Sequence, residues 1–211
     1  MNLSEALLDW LARHRVDHLF VVPGMQTEPM CRALGSQSAI RVIHACHELA
    51  AGFMADGYAR TTGNWGVCLT IGGPGAGYAV TAATTARLGR SAVLFISGDV
   101  PRRLHDRGGF QDAGSEGTRD QQLFEQAAGL SIRLDDPTEM PDVLSRVERR
   151  LRRGLPAHLM IPYDVQSAEF TGTLPATTPA PFPNHDRVSR GAERLADGLR
   201  AAKRPVLLAG R

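Results

Sequence analysis

The chain has 211 residues, 43 % of them hydrophobic and 22 % charged, enough for one domain of ordinary size with an appendage. Lys plus Arg (24) nearly balances Asp plus Glu (22), leaving a net charge of +2 and no electrostatic reason to expect nucleic acid or an anionic membrane as partner. The apolar run at 92–96 is far too short to span a bilayer. The N-terminus MNLSEALLDW lacks the basic and apolar stretches of a signal peptide. Cys31, Cys46 and Cys68 are too widely spaced for a disulfide framework or a zinc cluster. These features predict a soluble, cytoplasmic α/β protein.

Residues 3–15 carry Leu3, Leu7, Trp10, Leu11 and His14 at helical spacing, with Asn2 and Glu5 placed to form a capping box. His18–Val22 is a short apolar strand that meets a turn at Pro23-Gly24. A short helix follows over 25–34, then a strand over 40–43 and an Ala-rich helix over 48–60. A third strand, 66–71, stops at Gly72-Gly73-Pro74-Gly75 and leads into a small-residue helix over 76–88. The fourth strand is 92–97, and 98–118 reads as a long loop, a length that compact domains usually reserve for function. A helix over 119–127 and a strand over 130–134 come next. Asp136 can cap a helix with Pro137 at its first position, running to Arg153. Residues 157–161 form a last strand. The alternation predicts a doubly wound parallel sheet with helices on both faces.

Four prolines between 171 and 187 mark residues 167–187 as a linker. The expected organisation is a domain over 1–166, this linker, and a helix (188–202) and strand (204–209) that begin a second domain. A lone helix and strand cannot bury their own apolar surface. The sequence therefore reads as the front of a longer polypeptide, or as one completed by a partner chain.

Three motifs invite chemistry. His44-Ala-Cys-His47-Glu48 has no histidine three positions after the glutamate, so it is not the zincin pattern, and no metal site is expected. Gly72–Gly77 follows a strand and opens a helix as a dinucleotide cradle would, but position 78 is Tyr and no acidic partner follows at the required distance. The run Arg149, Arg150, Arg152, Arg153 reads as a solvated helix end. Glu48 follows a strand and opens a helix. On spacing alone it is first of all a carboxylate favoured by the helix dipole.

The segment from His47 to Gly63, HELAAGFMADGYARTTG, resembles the signature of the thiamine-diphosphate enzymes, in the pyrimidine-binding domain of the acetolactate synthase and 2-oxo acid decarboxylase group. Supporting segments stand in order: Phe20–Gly24, Thr70 with Gly73-Pro74-Gly75, Ile96–Pro101, Phe110-Gln111-Asp112, Ile161–Gln166 and Lys203–Gly210. The resemblance implies an enzyme that decarboxylates or carboligates a 2-oxo acid. Glu48 would be its catalytic residue, hydrogen-bonded to the aminopyrimidine of thiamine diphosphate and favouring the tautomer that activates the cofactor. It implies cofactor contacts from Val22, Pro23, Gly24, Glu48, Thr70, Gly73, Pro74 and Tyr78. It implies that Phe110 and Gln111 meet substrate across a subunit boundary. Cys46, Gly77-Tyr78, Asp99 and Gly129 depart from the family pattern, and these changes bear on substrate rather than on cofactor activation. No Gly-Asp-Gly occurs, so the Mg²⁺ that holds the diphosphate is expected on another segment, in cis or in a homo- or hetero-oligomer. Two other readings remain at this stage. One is a non-catalytic dimerisation or regulatory module, and the other is a nicotinamide oxidoreductase.

Overall fold

The computed structural model describes residues 1–177 and 185–208. The elements are α1 (Leu3–Arg13), β1 (His18–Val21), α2 (Glu28–Gly35), β2 (Arg41–His44), α3 (Glu48–Thr62), β3 (Gly66–Thr70), α4 (Pro74–Leu88), β4 (Val93–Asp99), α5 (Asp120–Ala128), β5 (Ser131–Arg133), α6 (Met140–Leu151), β6 (Ala157–Pro162), α7 (Tyr163–Gln166) and α8 (His185–Ala201). Short 3₁₀ turns precede α2 and α6, and a third lies in the long loop after β4. The capping box forms as expected, with Glu5 N donating to Asn2 Oδ1 and Asn2 N donating to Glu5 Oε2, both at 2.9 Å.

All six strands pair in parallel, in the order β2-β1-β3-β4-β6-β5. β3, β4 and β6 are buried along their whole length, as a sheet covered on both faces requires. One core holds α1, α2 and α6 against the sheet through Leu7, Trp10, Leu11, Met30, Leu144 and Val147. The other holds α3, α4 and α5 through a stripe of alanines, among them Ala51, Ala55, Ala79, Ala82, Ala83 and Ala86, closed by Phe95 and Phe124. Small side chains let α3 and α4 approach each other and the sheet closely. A Cβ on Gly52 would lie 2.6 Å from the Ala82 Cβ.

The first compact unit runs from Met1 to Thr177. Its last stretch turns back onto the core. Phe170 N donates to Met1 O at 3.0 Å, and the Phe170 ring is buried. The second unit is described from 185 to 208 and contributes α8. The strand expected over 204–209 does not form across its described part, 204–208, where Val206 and Leu208 are exposed. A strand exists only by pairing, and among the described residues no strand pairs with this segment. Position 209 lies outside the described residues, as do 178–184.

The basic end of α6 is solvated only in part, with Arg149 and Arg153 exposed and Arg150 and Arg152 half-buried. Arg150 donates to Ala128 O (2.6 Å), the last carbonyl of α5, and to Pro156 O (3.1 Å) in the turn before β6. Arg152 pairs with Glu148 at 2.7 Å. No described helix is long and apolar enough to cross a membrane.

His158 stands on β6 with no exposed surface. Its Nε2 meets Ser97 Oγ at 2.9 Å, its Nδ1 meets Ser131 Oγ at 2.8 Å, and the ring stacks on Phe124 at 3.9 Å. Burial pushes its pKa down to about 3. An unfolded histidine takes its proton near 6.5, so between those values the unfolded chain holds one proton more. Stability should therefore fall on acidification from pH 6.5, by about 1.4 kcal/mol per pH unit for this one group. Urea unfolding between pH 7 and pH 4 checks this, with a shallower slope expected for His158→Gln.

Candidate active site

The site lies at the carboxyl ends of β1, β2 and β3. β1 runs out through Val22, whose N–H still donates to Leu69 O at 3.1 Å, and the chain then turns at Pro23-Gly24. The Thr27 hydroxyl and the Gly24 backbone close this turn. A Cβ on Gly24 would lie 2.4 Å from Ile71 Cγ2, so only glycine lets this turn approach the end of β3. β3 ends at Thr70, which is buried. Gly73, at φ 67° and ψ −123°, is the N-cap of α4, and Pro74 takes the first helical position.

Glu48 is the first residue of α3, set there by the N-cap His47, whose Nδ1 accepts the Leu49 N–H at 3.1 Å. Its carboxylate leans across to α4. Glu48 Oε1 lies 3.2 Å from the point a Cβ on Gly75 would occupy, and Thr70 Oγ1 lies 2.6 Å from that point. Glu48 is half-buried, and no hydrogen bond or ion pair among the described residues engages its carboxylate. Beneath it, burial and then the nearby Glu48 charge push the Cys68 thiol up to about 12. Thus a carboxyl group, a buried hydroxyl and bare glycine backbone face one opening. This donor set suits the polar edge of a flat heterocycle.

The long loop folds back over this edge. Gly72 N donates to Gln26 Oε1 and Gly73 N to Asp120 Oδ2, both at 2.7 Å. These N–H groups are therefore engaged, unlike those of a phosphate cradle. Gln111 lies directly on the turn, its Cα 3.3 Å from the point a Cβ on Gly73 would occupy. Asp112 accepts N–H groups from Asp106, Arg107, Gly108 and Gly114 at 2.9–3.3 Å. Asp99 and Asp112 flank His105, and these three are the one trio of possible metal ligands found together among the described residues. Each of the three already has protein partners. His105 Nδ1 and Arg133 both bind Asp99 Oδ2, and Ala113 N binds Asp99 Oδ1. These contacts hold the loop together.

Of the residues expected at the site, Gly24, Glu48, Thr70, Gly73, Pro74 and Gln111 gather around this opening, with Val22 and Pro23 on its β1 side. Tyr78 lies in the first turn of α4, 55 % exposed, its ring 4.6 Å from His47. Phe110 projects from the loop, 84 % exposed. Gln26 and Asp120 are central to the geometry and escaped the sequence reading. The only hint of Asp120 was an acid opening a helix just after a long loop.

Burial pushes the Asp120 carboxyl up to about 6, with the Asp99 and Asp112 charges adding to it and bonds from Thr118 and Gly73 opposing it. The folded protein thus keeps a proton that the unfolded chain releases near 3.8. Raising the pH from 4 to 6 costs the native protein stability that Asp120→Asn should retain. The variant's relative stability is expected to rise over that window by about 1–3 kcal/mol and then level off. Chemical denaturation of the two proteins at matched pH checks this. Separately, Gly75→Ala forces a methyl group against Thr70 and Glu48 and should cost about 1–3 kcal/mol in the same measurement.

Comparison with known proteins bears on this site. The family profile "Thiamine pyrophosphate enzyme, N-terminal TPP binding domain" matches residues 1–121. The whole chain is 31 % identical to a sulfoacetaldehyde acetyltransferase of Rhodobacter capsulatus, covering 34 % of that protein. It is likewise 31 % identical to a probable acetolactate synthase large subunit of Methanococcus aeolicus, covering 35 % of it. It is 32 % identical to a probable 2-ketoarginine decarboxylase of Pseudomonas aeruginosa, covering 37 % of it. The chain thus spans about a third of the length of these relatives, and its glycine-lined edge and Glu48 lie within the matched segment. The chain belongs to the thiamine pyrophosphate enzymes and carries their N-terminal cofactor-binding domain.

Proposed function

We propose that this chain is the pyrimidine-binding part of a thiamine-diphosphate-dependent enzyme that acts on a 2-oxo acid by decarboxylation, carboligation or both, with Glu48 as the catalytic residue. The observation that carries the proposal is the half-buried Glu48 carboxyl at the start of α3, facing Thr70 and the backbone of Gly75 with no hydrogen bond or ion pair among the described residues. When bound, thiamine diphosphate supplies the electron sink for cleaving or forming the bond at the 2-oxo carbon. Glu48 would hydrogen-bond a ring nitrogen of the aminopyrimidine, a positioned acid–base contact of the kind worth about 10²–10⁴ in rate. Gly24, Gly73 and Pro74 leave the ring room to lie against backbone, and Val22, Pro23, Thr70 and Tyr78 border it. Phe110 and Gln111 face the substrate.

The relatives' names span acetyl transfer, acetolactate synthesis, 2-ketoarginine decarboxylation and glyoxylate carboligation. They support a reaction class rather than one substrate. The divalent ion, Mg²⁺ by its oxygen-ligand preference, and the diphosphate belong to another segment, in cis or on a partner subunit. The sequence has no Gly-Asp-Gly, and the Asp99–His105–Asp112 trio is already engaged. Phe53 and Met54 stand 40 % and 42 % exposed on α3, which supports an oligomer that covers this helix.

In the assembled enzyme, Glu48→Gln should lower turnover of the 2-oxo acid by about 10²–10⁴ while cofactor affinity stays within about tenfold. Steady-state rates together with a cofactor fluorescence titration measure the two effects. Unchanged turnover would remove Glu48 from the mechanism.

A further inference from the structure

The side chain of Gln26 is 3 % exposed and uses both ends of its amide. Oε1 accepts the Gly72 N–H at 2.7 Å, and Nε2 donates to Gln111 O at 2.9 Å. A backbone N–H only donates and a carbonyl only accepts, so the two contacts fix the orientation of the amide. Among side chains of this length, only a carboxamide can satisfy both at neutral pH.

The base of this clasp is itself fixed. Gln26 O accepts from Gln166 Nε2 at 2.8 Å, and Gln166 Nε2 also donates to Ile161 O at 2.8 Å. A Cβ on Gly98 would lie 2.4 Å from Gln26 O, so β4 packs hard against this backbone. At the far end, Gln111 is held at φ 61°, a left-handed conformation that a non-glycine residue keeps only where its surroundings enforce it. Its neighbour Phe110 is thrust outward. Asp120 repeats the device one residue along, taking the Gly73 N–H and the Thr118 hydroxyl.

We propose that Gln26 is a positioning residue: its carboxamide clasps the Phe110–Gln111 loop to the Gly72–Gly73 turn, so that the cofactor-side turn and the substrate-side loop hold one register. The catalytic consequence rests on the function proposed above, whereas the clasp does not.

Peptide-resolved hydrogen exchange on the whole protein tests it, with Gln26→Met and Gln26→Glu compared with the native protein at each pH. Gln26→Met fills the same space with neither hydrogen bond. Exchange over 105–118 should speed up about tenfold, the effect of losing one ordinary hydrogen bond, while β3 and β4 keep their protection. Gln26→Glu keeps the acceptor for Gly72 but as a carboxylate cannot donate to Gln111. It should show the same fast loop at neutral pH and return toward native exchange as falling pH protonates the new carboxyl group. In the active enzyme, both variants should raise KM for the 2-oxo acid at least tenfold at neutral pH with cofactor affinity unchanged.

Native-like loop exchange in both variants would overturn the clasp, as would loosening spread evenly over sheet and loop. A fast loop with an unchanged KM would overturn the positioning role. An enzyme without 2-oxo acid activity would count against the proposed function alone, because the exchange result does not depend on it.

Discussion

Between the ends of β1 and β3 the sheet changes the face to which its connections go. The helix after β1 packs into the core with α1 and α6, while those after β2 and β3 pack into the alanine-rich core. Adjacent connections leave in opposite directions, so a crevice opens outside the strand ends at that point. The rest of the site follows from it. The turns that flank the crevice must come close together, which forces glycine at 24 against Ile71 and at 75 against Thr70. The next helix to start beside the crevice is α3, and its first residue is Glu48. There it faces the Thr70 hydroxyl and the bare backbone of Gly75.

The loop over the crevice is ordered by acids that might be taken for metal ligands. Asp112 gathers four backbone N–H groups, and Asp99 is shared by His105, Arg133 and Ala113. Buried carboxylates are tolerated only when hydrogen-bonded or paired, and here backbone and guanidinium supply the partners. Asp120 is hydrogen-bonded too, yet burial and then the neighbouring Asp99 and Asp112 charges leave it holding its proton nearer to neutrality. The loop is long and polar, yet its conformation is tied down at many points.

Much of this was legible in the sequence because it is local. The alternation of apolar strands with capped helices predicts the parallel sheet, and the His47–Gly63 stretch by itself singles out Glu48. Glycine and proline after β1 and β3 mark the turns, since few other residues fit there. Gln26 was hidden for the opposite reason. It is an ordinary polar residue in a short turn, and its meaning comes from Gly72 and Gln111, 46 and 85 positions away. Asp120 likewise meets Gly73 at a separation of 47. The strand expected at 204–209 is not seen over its described part, 204–208, for a related reason. Apolar composition can permit a strand, but only a paired neighbour makes one.

The alanine stripe between α3 and α4 has a consequence for how this protein can change. Ala51, Ala55, Ala79, Ala82 and Ala83 are fully covered, and none of them needs to meet a ligand. They set how far the helix bearing Glu48 stands from the helix that begins at the glycine turn. An added methylene in that seam wedges the two apart and carries the carboxyl with it. The tolerance of the glycine-lined edge to mutation is therefore governed from behind, by residues whose only asset is that they are small.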